Sequence, residues 1–465
     1  MLKFFKKYKI EIILLVVSLL AHFFFFFLLL HNYGHNFPYD TNEDAAEFFT
    51  ISKNIYFHGA FSSEPELIQY PNSLRTPLYP AYLAGFNIFT TSPLLPIILQ
   101  NILAALAVVL VYRLGLLVVK NKTISWLAAL LFALDPLANY WANITEPDTL
   151  LVVATLVVLV SFFKFRDSGQ LKFLALTSLF LGLSILIKPV ALYFPIFFVL
   201  MIIGDAFFKK QLPKGIKWSA IFLAITFLVV APWLGRNYSR FGVFSVSSIS
   251  GYNLYSYAAV VGPYPQEVKD YLVEVKEKYG QFGQNRNGER DLRAQKKFKA
   301  LAVKIIMANP IVYAKAHVLG MARFFLDDGH KEIFYNRHYR AMLIYNTPEP
   351  TDKPDITGEF KKGNFGVIWT TIKTANCYTV IYFISKLIYF LAYLLILFGL
   401  ITSGRRDKKM FGAFLFLLSL AFFIALAAGP YGPSVRYRLP VLPGLLLVMV
   451  YGFMSLKKIK NPTIK

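Results

Sequence analysis

Long apolar runs alternate with short basic connectors along most of the chain. A helix needs about 20 apolar residues to cross the hydrocarbon layer, because every backbone N–H and C=O must be paired within the segment. Runs at 10–30, 95–118, 124–140, 147–163, 172–187, 190–207, 217–234, 377–402, 410–428 and 438–455 meet that condition and predict about ten spans. The expected fold is an all-α polytopic membrane bundle with juxtamembrane helices on the non-cytoplasmic side.

The connectors decide sidedness. Lys120 and Lys122; Lys164, Arg166 and Lys172; Lys209, Lys210, Lys214 and Lys217; Arg405, Arg406, Lys408 and Lys409; and Lys457, Lys458 and Lys460 all fall on the side of the basic N-terminus. The positive-inside rule makes that side cytoplasmic and places both termini there. The first run is too long for a signal-peptide core and lacks a clear cleavage site, so it reads as an uncleaved helix.

Two long segments, 31–94 and 235–376, and short turns near 140–147, 188–189 and 429–437 fall on the opposite side. The chain thus divides into an N-terminal transmembrane module (1–234, with first outer loop 31–94), a long non-cytoplasmic loop (235–376) and a C-terminal transmembrane module (377–465). Within the loop, 298–326 reads as an amphipathic helix pair lying on the membrane surface and broken near Asn309-Pro310. Residues 341–365 read as irregular.

Composition agrees. The chain is 56% hydrophobic and 16% charged, with a mean hydropathy of +0.50, whereas soluble domains carry about a quarter charged residues. The net charge of +23 is explained by membrane orientation and does not call for a nucleic-acid partner. Cys377 is the one cysteine, which excludes an intramolecular disulfide and any CxxC motif.

Polar residues of chemical interest collect on the outer side. Glu43-Asp44-Ala45-Ala46-Glu47 opens an apolar stretch, and Asp44 with Glu47 three residues on also fits a helix capping box. Arg75 precedes Pro77 and Pro80, which restrict the backbone around it, although an arginine there also serves as an interfacial anchor. Glu146-Pro147-Asp148 sits at the start of a span, where acids cap helices too. Lys188-Pro189 joins two spans with almost no loop, a cation on the side the charge bias disfavours. Pro232-Trp233, Arg236-Asn237 and Tyr431 through Arg436-Tyr437-Arg438 bring arginine and aromatic side chains to outer helix ends, as interface belts also do. An acid among several cations on one membrane face is what a site for a lipid-linked phosphate needs.

These residues carry a resemblance. The order Glu43-Asp44, Arg75-Thr76-Pro77-Leu78-Tyr79-Pro80, Thr145-Glu146-Pro147, Lys188-Pro189, Pro232-Trp233 with Arg236-Asn237, and Arg436-Tyr437-Arg438-Leu439-Pro440 resembles the GT-C membrane glycosyltransferases. The similarity is to the branch of protein O-mannosyltransferases and the lipid A aminoarabinose transferase, over 1–260 and again near 377–455. Many relatives have Arg-Pro where this chain has Lys188-Pro189, and lysine lacks the bidentate fork.

The resemblance implies transfer of a sugar from a polyprenyl-phosphate carrier to a protein, lipid or polysaccharide acceptor at the outer face of the cell membrane, usually with inversion. It implies Asp44 as general base, with Glu146 orienting an arginine or binding sugar or acceptor. Arg75, Lys188, Arg236, Arg436 and Arg438 are the implied phosphate ligands. Glu43, Tyr79, Trp233, Asn237 and Tyr431 are the implied lining. The lipid-linked donor takes the place of a cofactor. No HExxH or close carboxylate pattern fixes a metal, and none is assigned.

Two other classes remain in view: a lipid-linked sugar flippase or transporter, and a non-catalytic scaffold for envelope assembly. Transporters place ionisable groups near the midplane, whereas most here lie at outer ends. The exceptions are His22, read as a packing histidine, and Asp135-Pro136, read as a kink or cap.

Overall fold

The computed structural model describes residues 7–40, 43–64, 70–258, 266–279, 291–327, 329, 335–336, 341–342, 366, 377–430 and 434–460. It is a helical bundle whose spans are set by apolar length and whose ends are set by a few residues with particular backbone needs. Helix α1 (Lys9–Tyr33) stops at Gly34, which takes a φ of 71° that side chains resist. Two short helices follow, α2 (Phe37–Asp40) and α3 (Glu43–His58), and then α4 (Leu78–Phe86) and α5 (Leu94–Val118).

Helix α6 (Lys122–Ala133) starts where the Asn121 side chain accepts from the Ile124 N–H. Asp135 ends its run and caps α7 (Pro136–Trp141) by accepting from the Ala138 N–H at 2.8 Å. The kink-or-cap reading of Asp135-Pro136 therefore holds. Helix α8 (Asp148–Ser168) leads to α9 (Leu171–Ile187). Lys188 is extended, and a 3-10 turn (Pro189–Tyr193) joins it to α10 (Phe194–Phe208).

Helix α11 (Leu212–Phe241) ends at Gly242, again at positive φ. Beyond it come α12 (Ile249–Ala258), α13 (Gln266–Tyr279), α14 (Gln295–Ala308) and α15 (Pro310–Leu326). Helices α14 and α15 meet at Asn309 with a bend of 104°, at the break expected from Asn309-Pro310. A two-residue strand pair, Tyr335–Asn336 with Ala341–Met342, lies within the stretch read as loop or flanking it. Helices α16 (Cys377–Arg406), α17 (Lys408–Ala427) and α18 (Leu442–Lys460) complete the bundle, with a 3-10 turn (Val435–Arg438) before α18.

The expectation of about ten spans is met in part. Among the described residues, seven helices are long and apolar enough to cross a membrane, or eight if the bent pair is one span. The run at 124–140 divides at Asp135-Pro136 into two short helices, the run at 172–187 makes a helix of 17 residues, and the last run begins only at Leu442 because a 3-10 turn occupies 435–438. Composition alone does not register such turns.

Helix α8 is the hub: 78% of its apolar window is buried, against 11% for α16, as expected for a helix that is apolar all round. One large core joins most of the bundle, and two small clusters stand apart from it. Tyr255, Ala258, Phe298 and Leu301 form a separate core between α12 and α14. Phe48, Tyr79 and Leu83 form another beneath α3.

Small residues allow the closest helix approaches. A Cβ on Gly452 of α18 would lie 2.0 Å from the Leu395 carbonyl oxygen of α16, whereas one on Gly204 of α10 meets nothing within 4 Å. Gly452→Val is expected to destabilise the detergent-solubilised protein by about 1–3 kcal/mol through overpacking, read as a lower thermal-unfolding midpoint. Gly204→Ala should hold or raise that midpoint. Equal midpoints for Gly452→Val and wild type would contradict the close α16–α18 packing.

Candidate active site

Asp44 lies in the first turn of α3, and Glu47 follows one turn later on the same face. Both carboxylates turn to Arg75. Its Nη2 lies 2.5 Å from Asp44 Oδ1 and 2.5 Å from Glu47 Oε2, and its Nε donates to Glu47 Oε2 at 2.9 Å. Asn72 builds the loop that presents Arg75. Its Oδ1 accepts from the N–H groups of Leu74 and Arg75, and its Nδ2 donates to Glu47 and Ser63. Thr76 then donates to the Ile187 carbonyl at 2.8 Å, fastening this loop to the end of α9.

The facing wall comes from three other segments. Arg436, in the 3-10 turn before α18, reaches Asp44 Oδ2 through Nη2 at 3.1 Å and pairs through Nη1 with Glu146, ahead of α8. Lys188 donates to Asp148 Oδ1 at 2.7 Å and lies over the Tyr437 ring. These groups surround a cavity of about 340 Å³. Tyr252, Asn253 and Tyr257 of α12 form a polar and aromatic side, and Leu151, Val190, Ile424 and Ala427 form an apolar one.

The balance of charge differs from the expected acid among cations. Among the described residues, Asp44, Glu47, Glu146 and Asp148 stand beside three cations, Arg75, Lys188 and Arg436. Burial would raise the Asp44 carboxyl, but the adjacent guanidinium groups of Arg75 and Arg436 outweigh it and hold Asp44 well below the usual carboxylate range. Burial pushes Glu146 the other way, upward, against the pull of Arg436.

Five of the residues singled out in the sequence converge here: Asp44, Arg75, Glu146, Lys188 and Arg436. Five others do not line this cavity, each because it has a partner elsewhere. Arg236 donates to the Asn72 carbonyl and to Asn237, and its guanidinium lies over Trp233. It supports the Arg75 loop at one remove. Asn237 and Trp233 donate to the backbone of Ser245 and Val246. Tyr79 is fully buried against Phe48 and donates to Gln100.

Arg438, also fully buried, donates to the Phe324 and Phe325 carbonyls at the end of α15. The Glu43 side chain and Tyr431 lie outside the described residues. Glu47, Asp148, Asn72 and Tyr437 join the cluster without having been expected there. For the first two the signal was present, since each lies within a motif already singled out, but capping explained them equally well. Among the described residues, no three His, Cys, Asp or Glu side chains converge as metal ligands.

Comparison with known proteins agrees with this architecture. A family model for dolichyl-phosphate-mannose-protein mannosyltransferase matches residues 75–235, under half of the chain. Curated proteins give no match. Among solved structures, the archaeal oligosaccharyltransferase AglB from Archaeoglobus fulgidus, in complex with an inhibitory peptide and a dolichol-phosphate, is 15% identical with a TM-score of 0.52. The match covers 98% of this chain and 51% of that one. The same organism's enzyme tethered to an acceptor peptide gives 16% identity and a TM-score of 0.53, covering 98% and 50%.

The chain therefore spans about half the length of these relatives. ArnT from Cupriavidus metallidurans bound to undecaprenyl phosphate aligns over 97% of this chain and 80% of its own, at 12% identity and a TM-score of 0.37. The chain shares the fold of the archaeal oligosaccharyltransferase over nearly its whole length, and its residues 75–235 are similar to the mannosyltransferase family model.

The Lys188–Asp148 pair gives a direct test of the site's construction. Asp148 is fully buried, and removing one partner of a buried pair typically costs about 3–5 kcal/mol. Lys188→Met is expected to lower the unfolding midpoint markedly, and adding Asp148→Asn should restore most of it. A harmless Lys188→Met would show that the two charges do not depend on each other.

Proposed function

We propose that the protein transfers a sugar from a polyprenyl-phosphate carrier to an acceptor hydroxyl at the non-cytoplasmic membrane face, with inversion. The observation that carries this reading is the cavity itself: charged groups from distant segments meet there beside an apolar wall. Such a division suits a ligand with an anionic head and a hydrocarbon tail. The dolichol-phosphate held by the archaeal oligosaccharyltransferase is a ligand of that class.

Asp44 is the proton acceptor. As the acceptor oxygen bonds to the anomeric carbon, its proton passes to Asp44, and the bond from that carbon to the phosphate oxygen breaks with its electron pair. The leaving phosphate gains a charge that Arg436 and Lys188 offset, while Arg75, anchored by Glu47, holds Asp44 in place. Glu146 orients Arg436. Tyr252, Asn253 and Tyr257 face the space left for a sugar.

The N-terminal module and the 3-10 turn of the C-terminal one supply the charges, and the loop between them supplies the α12 wall. The basic connectors orient this site outward, with both termini cytoplasmic. The charged groups gather at helix ends, away from the midplane where transporters bind their cargo, which favours transfer over translocation.

The test is a purified preparation in lipid incubated with a panel of polyprenyl-phosphate sugars, scoring transfer or hydrolysis. Asp44→Asn should insert normally and lose about 10²–10⁴-fold in rate. Arg236→Gln, one step removed from the cavity, should stay far closer to wild type. Full activity in Asp44→Asn would overturn the assignment of the base.

A further inference from the structure

The two arginines on Asp44 are held differently. Arg75 is fixed: Glu47, only 5% exposed, takes it at two nitrogens, Asn72 holds its backbone N–H, and its guanidinium lies over Phe48. Arg436 is held by Glu146 and lies over the Trp141 and Tyr437 rings, yet it makes the longer contact with Asp44, 3.1 Å against 2.5 Å. Its Nε is buried with no partner among the described residues, in a side chain that lines the cavity. A guanidinium offers five N–H donors in a planar fork suited to phosphate, so an incoming phosphate oxygen can satisfy the idle one. Asp44 is meanwhile the open member of the group, 38% exposed where both arginines are near 10%.

The charges point the same way. A donor phosphodiester adds an anion to a cavity whose described lining already sets three carboxylates, Asp44, Glu146 and Asp148, against three cations, Arg75, Lys188 and Arg436. Arg436, with its idle Nε and its longer contact to Asp44, is the cation placed to turn from Asp44 to the phosphate, leaving Asp44 with Arg75 alone.

We propose that Arg436 masks Asp44 in the donor-free site and passes to the donor phosphate on binding, so that Asp44 becomes a working base only when the donor is seated. This rests on the transferase reading above. During transfer the acceptor proton neutralises Asp44 while the departing phosphate gains one charge, so the site's total is unchanged. Arg436 then sits on the group that has become more negative. It acts as a positioning residue toward Asp44 and as a ligand toward the phosphate.

The consequence is proton-linked donor binding. Asp44 faces Glu47 on its own helix, Arg75 before α4, Glu146 and Asp148 at the head of α8, Lys188 after α9, Tyr252 and Tyr257 of α12, and Arg436 and Tyr437 before α18. Withdrawing Arg436 raises the proton affinity of Asp44 in the bound state. Binding therefore tightens as pH falls through the bound-state pKa and is weakest above it.

The probe is a polyprenyl methyl phosphate, a phosphodiester without sugar whose single charge is constant across the range used. Its affinity for the full chain in lipid nanodiscs is measured between about pH 8 and pH 4.5. Wild type should bind about tenfold more tightly at the acid end for each unit by which the Asp44 pKa rises above the lower limit of that range. In a Glu146→Gln background, which removes the other carboxylate paired with Arg436, Asp44→Asn should lose the slope and bind more tightly at neutral pH, and Arg436→Gln should also lose the slope.

A flat wild-type profile, or a slope that survives in either variant, overturns the proposal. Because this readout needs no turnover, the two readings fail separately. A sloping profile without sugar transfer sinks the transferase alone, and transfer with a flat profile sinks the masking alone.

Discussion

A charge held at the edge of a hydrocarbon layer must find an opposite charge, and Arg436 is where that requirement organises the protein. It joins Asp44 of α3 to Glu146 ahead of α8, tying the last part of the chain to its first half. Two residues on, Arg438 donates to the final carbonyls of α15. The single 3-10 turn between Val435 and Arg438 thus locks the cavity wall on one side and the bent helix pair on the other. Shortening this turn into α18 would remove both.

The opposite end of the bundle is closed by a second set of pairs. Arg166 meets Asp205, Lys409 meets Asp167, and Arg113 meets Glu11. These pairs differ in weight. Lys409 is more than half exposed and contributes little, as exposed pairs do, whereas Arg166 grips Asp205 with two nitrogens from a largely buried position. The middle of the bundle holds by close packing at glycine positions such as Gly182 against Val229 and Gly399 against the α18 backbone. With the cavity at one end and these pairs at the other, Asp44 and Arg436 meet at one end of the bundle, as a shared pocket requires.

Much of this was legible in the sequence because the bilayer makes apolar length expensive to fake. The helical class, the main spans, the break at Asn309-Pro310 and five members of the site follow from runs of apolar residues and from polar groups placed against them. The count of spans was not legible, since hydropathy averages over a turn such as Asp135-Pro136. Nor could residue type separate Arg436 from Arg438, two positions apart on the same turn: one faces the cavity, the other meets helix carbonyls. Arg236, Trp233, Asn237 and Tyr79 have the right chemistry on the right side, and only packing shows that their polar atoms are already engaged. Glu47 and Asp148 erred in the other direction, because a helix cap accounts for an acid at those positions without any site.

The shape of the cavity limits what can occupy it. A volume of about 340 Å³ falls at the small end of ligand pockets, enough for a phosphate and one sugar but not for a long hydrocarbon chain as well. For the proposed donor, the apolar wall of Val190, Ile424 and Ala427, between the turn after α9 and the end of α17, is the side that suits a hydrocarbon tail. A water-soluble nucleotide sugar would set its polar base against that wall and leave those groups without hydrogen-bond partners, an arrangement penalised in an apolar setting. A polyprenyl tail meets no such penalty there. The same apolar wall that favours a lipid-linked donor also keeps solvent from one side of the charged cluster, which strengthens the hold of Arg75 and Arg436 on Asp44. On the proposed reading, the preference for a lipid-linked donor and the control of Asp44 both trace to this one apolar wall.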